Sequence, residues 1–298
     1  MNGSKLVKTV YRPEQEIKAC VFIVHGMQEH QRRYKAFAEE LAENGIAVVT
    51  YDLPGHGETG KGEDRGWFGA ENGWDALVSS ARDIAVYARN EFPDVPLIYF
   101  GHSMGTMIGR CFLQNYDGLI DGMILSGAPA YQKAASMGKT IAKMTARTAG
   151  KKGHSAMLDN LATGSFNKAI EDPRTPLDWL SYNEESVDRY IADEDCGFPF
   201  TVQGYFDLFS GMVQMARKEL FRVSRPDLPI YFFAGEDDPC IGGKKGFDSS
   251  VSLLKKVGYR NITTKLYKNM RHETLQEKNA GAVIRDVIEW IEKDVLRI

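Results

Sequence analysis

Six short runs of apolar, β-branched and aromatic residues recur along the chain, at 19–24, 46–51, 97–100, 122–126, 229–234 and 263–267. Each is too short for an independent helix and too continuously apolar for a strand with one wet face, so the pattern predicts parallel strands covered on both sides. Between the runs, apolar residues return at helical spacing: Tyr34, Phe37, Ala38 and Leu41, then Leu77, Val78, Ala81, Ile84, Ala85 and Ala88. Ile284, Val287, Ile288, Ile291 and Val295 repeat it near the end. This alternation predicts an α/β fold with a doubly wound, mostly parallel sheet, whose functional loops gather at the carboxyl ends of the strands.

The alternation lapses between about 127 and 205, where Gly and Pro breaks separate short amphipathic pieces such as Ile141, Met144, Thr145 and Thr148. An inserted, mostly helical cap at 128–204 is expected, with 1–127 and 205–298 forming the core. Charge is segregated within it. From Gly122 to Leu158 there is no Asp or Glu, while Lys133, Lys139, Lys143, Arg147, Lys151 and Lys152 are basic; Glu171, Asp172, Asp178, Glu184, Glu185, Asp188, Asp193, Glu194 and Asp195 then reverse the sign. The basic half is expected either to be a solvated face or to make weak contact with an anionic lipid surface.

With 37 Lys+Arg against 40 Asp+Glu, the chain has no overall field to steer polyanions, so no nucleic-acid partner is expected. Cys20, Cys111, Cys196 and Cys240 form no C-x-x-C pair and read as reduced thiols. Residues 1–13 lack the apolar core of a signal peptide, and no apolar run approaches the ~18 residues of a spanning helix; a cytoplasmic location is expected.

The strongest chemical signal is Gly101-His102-Ser103-Met104-Gly105, set between the apolar run 97–100 and a helical run at 107–116. In a tight strand-to-helix turn, glycines on both flanks remove Cβ atoms that would clash and leave the Ser103 hydroxyl exposed above a helix N-terminus. A serine hydroxyl needs a general base, and the base needs a carboxylate to hold its tautomer. His272 follows the last strand and precedes the final helix, where a loop histidine can reach back over the sheet. The carboxylate is expected after the run 229–234, where Glu236, Asp237 and Asp238 are adjacent; Asp238, before the φ-restricting Pro239, is preferred and Asp237 is the runner-up. The N–H groups of Met104, after the nucleophile, and of Met27, in the loop after the first run, are the expected oxyanion donors. Because Ser103 precedes the irregular stretch and Asp238 and His272 follow it, both flanks must belong to one sheet, and the chain reads as one domain with an insertion.

The segments His25-Gly26-Met27-Gln28-Glu29-His30 with Arg33-Tyr34, Tyr51-Asp52-Leu53-Pro54-Gly55-His56-Gly57, Gly101 to Gly105, Asp238-Pro239 and Arg271-His272-Glu273 run through nearly the whole chain. Together they resemble the α/β-hydrolase superfamily, in its monoacylglycerol lipase and lysophospholipase-like branch. The resemblance implies an α/β-hydrolase fold whose cap, inserted after the strand 122–126, shapes an acyl-binding pocket. Thr106 departs from a glycine common among relatives and is expected to tighten helix packing without touching the chemistry.

The expected activity is that of a serine carboxylester hydrolase, cleaving acyl esters such as monoacylglycerols or lysophospholipids through an acyl-enzyme, with no metal or organic cofactor. Two readings compete with it. One is an amide or peptide hydrolase on the same triad, with cap carboxylates from Glu171 to Asp195 holding a free amine; the other is a binding protein that kept the fold and lost turnover. Gly55 to Gly60 matches G-x-G-x-x-G, but no amphipathic helix follows to receive a pyrophosphate. His25 and His30, five apart in a loop, lack helical zinc spacing. His102 is expected to point away from the substrate. Phe166, Trp179, Phe198, Phe200, Tyr205, Phe206 and Phe209 could line an acyl site or simply be core.

Overall fold

A computed structural model describes residues 6–298; residues 1–5, on which part of the reading of 1–13 falls, lie outside the described residues. Among these, seven strands form one sheet: β1 (Lys8–Tyr11), β2 (Ala19–Val24), β3 (Ile46–Tyr51), β4 (Leu97–His102), β5 (Gly122–Ser126), β6 (Ile230–Gly235) and β7 (Ile262–Tyr267). Their order is β1-β3-β2-β4-β5-β6-β7, parallel throughout except for the antiparallel pair β1 and β3.

The helices are α1 (Lys35–Glu43), α2 (Gly73–Glu91), α3 (Met104–Phe112), α4 (Ala135–Ala149), α5 (Ala156–Thr163), α6 (Glu184–Ala192), α7 (Val202–Gln214), α8 (Gly243–Val257) and α9 (Ala280–Trp290). Alternate residues of the fully buried strands feed two cores. Phe22, Val49, Tyr99, Leu125 and Phe232 pack with α2, α3, α7 and α8, while Val21, Val48, Ile98, Ile124 and Tyr231 pack with α1 and α9 on the opposite face. Burial on both faces is why these strands read as unbroken apolar runs. The edges differ: β7 exposes Thr263, Thr264 and Lys265, because an outermost strand has neighbours on one side only.

Helices α4 to α7 all lie between β5 and β6, which are hydrogen-bonded neighbours in the sheet. Helix α7 runs from Val202 to Gln214 and so crosses the expected division at 204/205. It packs on α4 and, through Gly211 against Trp74, on α2. Helix α4 leaves Met137 and Met144 exposed on its outer surface. Among the described residues no helix is long and apolar enough to cross a membrane.

Candidate active site

Four loops at the carboxyl ends of β2, β4, β6 and β7 carry the expected site residues. After β4 the chain turns sharply at Ser103, whose φ of 50° and ψ of −115° are rarely adopted by a side-chain-bearing residue. The turn requires its glycines: a Cβ on Gly105 would lie 2.1 Å from the Val24 carbonyl oxygen, and one on Gly101 would lie 2.7 Å from that of Gly105. Hydrogen bonds hold the strained residue. The Ser103 N–H donates to the Ser126 carbonyl (3.0 Å), and the Ser103 carbonyl accepts from the Thr106 N–H (2.9 Å) and hydroxyl (2.7 Å). Thr106 therefore does more than tighten packing, since its hydroxyl braces the turn itself.

His272 and Asp238, from different loops, meet in a buried hydrogen bond between His272 Nδ1 and Asp238 Oδ2 (2.9 Å). The other carboxylate oxygen accepts the Cys240 N–H (2.8 Å), which fixes the plane of the carboxyl group. Asp237 instead accepts from the hydroxyl of Tyr182 (3.1 Å) at the surface. Burial alone would lower the His272 pKa, but the Asp238 carboxylate, helped by Glu273 and Glu29, outweighs it and raises the imidazole above its usual value. Trp179, from the insertion, lies over the imidazole with ring centroids 4.9 Å apart.

Ser103 and His272 line one cavity together with Met27 and Met104. Much of its wall is apolar, formed by Met107, Phe166, Leu161, Leu177, Leu208, Phe209 and Met212, with Trp179 beside His272. Of the seven aromatics expected either here or in the core, Phe166, Trp179 and Phe209 line the cavity, Phe198, Phe200 and Tyr205 belong to the main core, and Phe206 is partly buried against it. His102 departs from expectation. As the last residue of β4, opposite Ser126, it reaches the carboxyl edge of the sheet, lines the cavity and sits 4.8 Å from the His272 ring. Burial, and then the nearby His272, push its pKa down to about 4, so it is neutral at physiological pH.

The loop bearing Met27 is braced by Glu29, whose Oε1 accepts the Gly26 N–H (2.5 Å) and the Tyr34 hydroxyl (2.8 Å). Arg33 joins the buried Glu29 to the buried Glu273, with only about a tenth of its own side chain exposed. Sequence reasoning gave Arg33 and Glu273 no individual role. The i, i+4 spacing of Glu29 and Arg33 was a readable signal, but Glu273 lies too far along the chain for any local pattern to reveal it.

Among the described residues, two groups have donors suited to a metal: His30, Asp193 and Cys196, and Asp238, Cys240 and His272, each with ligand atoms within 4.8 Å of one another. In each, a direct histidine–carboxylate hydrogen bond, of 2.8 and 2.9 Å, already joins two of the donors. His25 is occupied separately, its Nε2 accepting the Leu53 N–H (3.0 Å).

A family model described as serine aminopeptidase, S33, matches residues 15–279. A monoacylglycerol lipase of Mycolicibacterium smegmatis is 25% identical over 98% of this chain and 94% of its own length. A monoglyceride lipase of Mus musculus is 23% identical over 97% of this chain and 88% of its own. Among solved structures, a highly thermostable carboxyl esterase from Bacillus coagulans in complex with glycerol superposes with a TM-score of 0.90, at 25% identity, over 97% of this chain and 94% of that one.

Proposed function

The chain belongs to the serine aminopeptidase S33 family, in the monoacylglycerol lipase-like branch of the α/β-hydrolases, and from that starting point we propose that it is a serine carboxylester hydrolase acting on monoacylglycerols or related lipid esters. One observation carries the reading: Ser103, the His272–Asp238 pair and the Met27 loop converge on the wall of a single, largely apolar cavity. In this reaction Ser103 Oγ attacks the ester carbonyl and His272 takes its proton, while Asp238 holds the imidazole and stabilises the imidazolium. The N–H groups of Met27 and Met104 receive the oxyanion. His272 returns the proton to the departing alcohol, and water then releases the acyl group from Ser103.

Charge supports an uncharged substrate. Among the described residues lining the cavity there is no Lys or Arg to meet a phosphate, which favours a glycerol ester over a lysophospholipid. Its two carboxylates, Glu29 and Glu273, are both engaged by Arg33. The acidic insertion residues Asp188, Asp193 and Asp195 pair with Arg174, His30 and Arg32 respectively and do not line the cavity. A free amine therefore finds no unpaired partner, which disfavours the aminopeptidase reading despite the family's description. The insertion, in this proposal, is the cap over the acyl site, and its basic helix α4 makes weak contact with an anionic lipid surface through Met137, Met144 and the neighbouring lysines.

The test pairs a fluorophosphonate probe with two substrates, a monoacylglycerol and an aminoacyl arylamide. The wild-type chain should be labelled and should cleave the ester in preference, and Ser103→Ala should lose both labelling and hydrolysis while keeping its fold. Undiminished labelling of Ser103→Ala, or preference for the arylamide, would sink the proposal.

A further inference from the structure

Resting on that hydrolase reading, we infer that Arg33 is a positioning residue that holds the loop bearing Met27 and the loop bearing His272 at a fixed separation. Its Nη1 donates to Glu29 Oε2 (2.6 Å) and to Glu273 Oε1 (2.6 Å), and its Nη2 donates to Glu273 Oε2 (2.8 Å). Glu29 in turn accepts the N–H of Gly26, the residue before Met27, and Glu273 directly follows His272. The guanidinium is thus linked through one carboxylate to each backbone segment that the reaction uses. A planar fork with donors on two edges can serve two carboxylates at once, which a lysine ammonium on a flexible stem does with far less directional control.

The surroundings leave the guanidinium little freedom. Tyr190, from α6, covers its face at 4.8 Å and donates its hydroxyl to the Gln28 carbonyl (2.8 Å), which also accepts the Gly197 N–H (2.9 Å). Gln28 has a φ of 58°, a conformation that persists in a side-chain-bearing residue only when its neighbours over-determine it. On the other side Gln276 Nε2 donates to the Arg33 carbonyl (3.1 Å).

Stability alone is a poor reason for this arrangement. Taking charged side chains out of water costs most of their hydration, and apolar replacements of similar volume are often no less stable. What an apolar set cannot supply is a fixed distance between two loops from opposite ends of the chain. Arg33 is not among the residues lining the main cavity, so its loss should act on turnover rather than on substrate binding.

The test compares Arg33→Met, Arg33→Lys and Glu273→Gln in the full chain, using steady-state kinetics on a short-chain aryl ester and amide hydrogen exchange at residues 26–28 and 271–273. Misplacing catalytic groups by about 1 Å costs on the order of 100-fold, so Arg33→Met should lower kcat by about that factor with KM within about threefold. Exchange should quicken at both segments together, and Arg33→Lys should recover only part of the loss. A folded Arg33→Met chain with kcat within about threefold of wild type would overturn the inference, as would a loss confined to KM or exchange quickened at one segment alone. Should Arg33→Met fail to fold, the near-isosteric Glu273→Gln takes its place, with kcat expected to fall about tenfold and the same exchange signature. Exchange quickened at both segments in Arg33→Met, with a wild-type chain that cleaves no ester, would uphold the clamp and overturn the hydrolase reading, so the two failures are distinguishable.

Discussion

Asp238 is buried with both carboxylate oxygens committed, one to His272 and one to the Cys240 N–H, whereas its neighbour Asp237 meets only an exposed tyrosine hydroxyl. Replacing each by Asn should therefore have very different effects. Asp238→Asn should lower kcat by about 10⁴-fold, the scale expected when a base loses the carboxylate that holds its tautomer, while Asp237→Asn should stay within about threefold. The acid limb of kcat/KM tests the same pair. Because Asp238 raises the His272 pKa, activity should fall with decreasing pH through a midpoint above the ordinary imidazole value of about 6.5, as the base becomes protonated. A profile measured from pH 5 to 9 with its midpoint at or below about 6.5 would contradict this. Ser103 and His272 carry local marks that a linear reading can find, paired glycines for one and a post-strand loop for the other. The Glu29–Arg33–Glu273 network has no such mark, because only folding brings residue 273 beside residue 33.

Among the elements, α7 joins the insertion to the core at Gly211. A Cβ there would lie 2.1 Å from the Trp74 ring, which is itself buried. Alanine in place of a helical glycine gains about 1 kcal/mol from propensity, whereas forcing a methyl into a packed site costs about 1–3 kcal/mol. With so severe an overlap the cost should win. Gly211→Ala should lose about 1–2 kcal/mol in urea unfolding; an unchanged or higher midpoint would mean that Trp74 can move aside. The legibility of elements followed the same logic of burial. Strands β2 to β6 are covered on both faces and announce themselves by continuous apolarity, as do the core-facing stripes of α1 and α2. β1, four residues on an antiparallel edge of which three are half-buried and Thr9 is exposed, has too little pattern to be found. Helix α7 was cut by the expected boundary because its apolar face serves insertion and core at once, so no change of composition marks the junction.

On the scale of the molecule, the segregated charge of the insertion resolves into two different arrangements. Within the acidic half, Asp193 and Asp195 reach the core, where Asp193 meets His30 and Asp195 meets both Arg32 and Arg65, while Asp188 pairs inside the insertion with Arg174. In the basic half, Met137 and Met144 are 57% and 61% exposed on α4, which also bears Lys139, Lys143 and Arg147. Co-sedimentation with vesicles should accordingly show weak binding that increases with anionic lipid content and diminishes at high salt. Binding that ignores anionic lipid would remove the membrane contact. The cavity proposed to take the acyl chain draws on the same insertion, whose lining residues, among them Leu161 on α5, Phe209 and Met212 on α7 and Trp179 between those helices, follow no core periodicity that a sequence pattern could exploit.

The departure and return of that insertion on paired strands, β5 and β6, has a consequence for chain entropy. Roughly a hundred residues leave and re-enter the sheet at neighbouring positions, and doubling such a loop costs only about 0.6 kcal/mol in closure. The sheet is therefore nearly indifferent to how long the intervening segment is. The scaffold holding Ser103, Asp238 and His272 can accept wholesale lengthening, trimming or replacement of the segment between β5 and β6, so that under the proposed function the reaction and its selectivity are separately open to change.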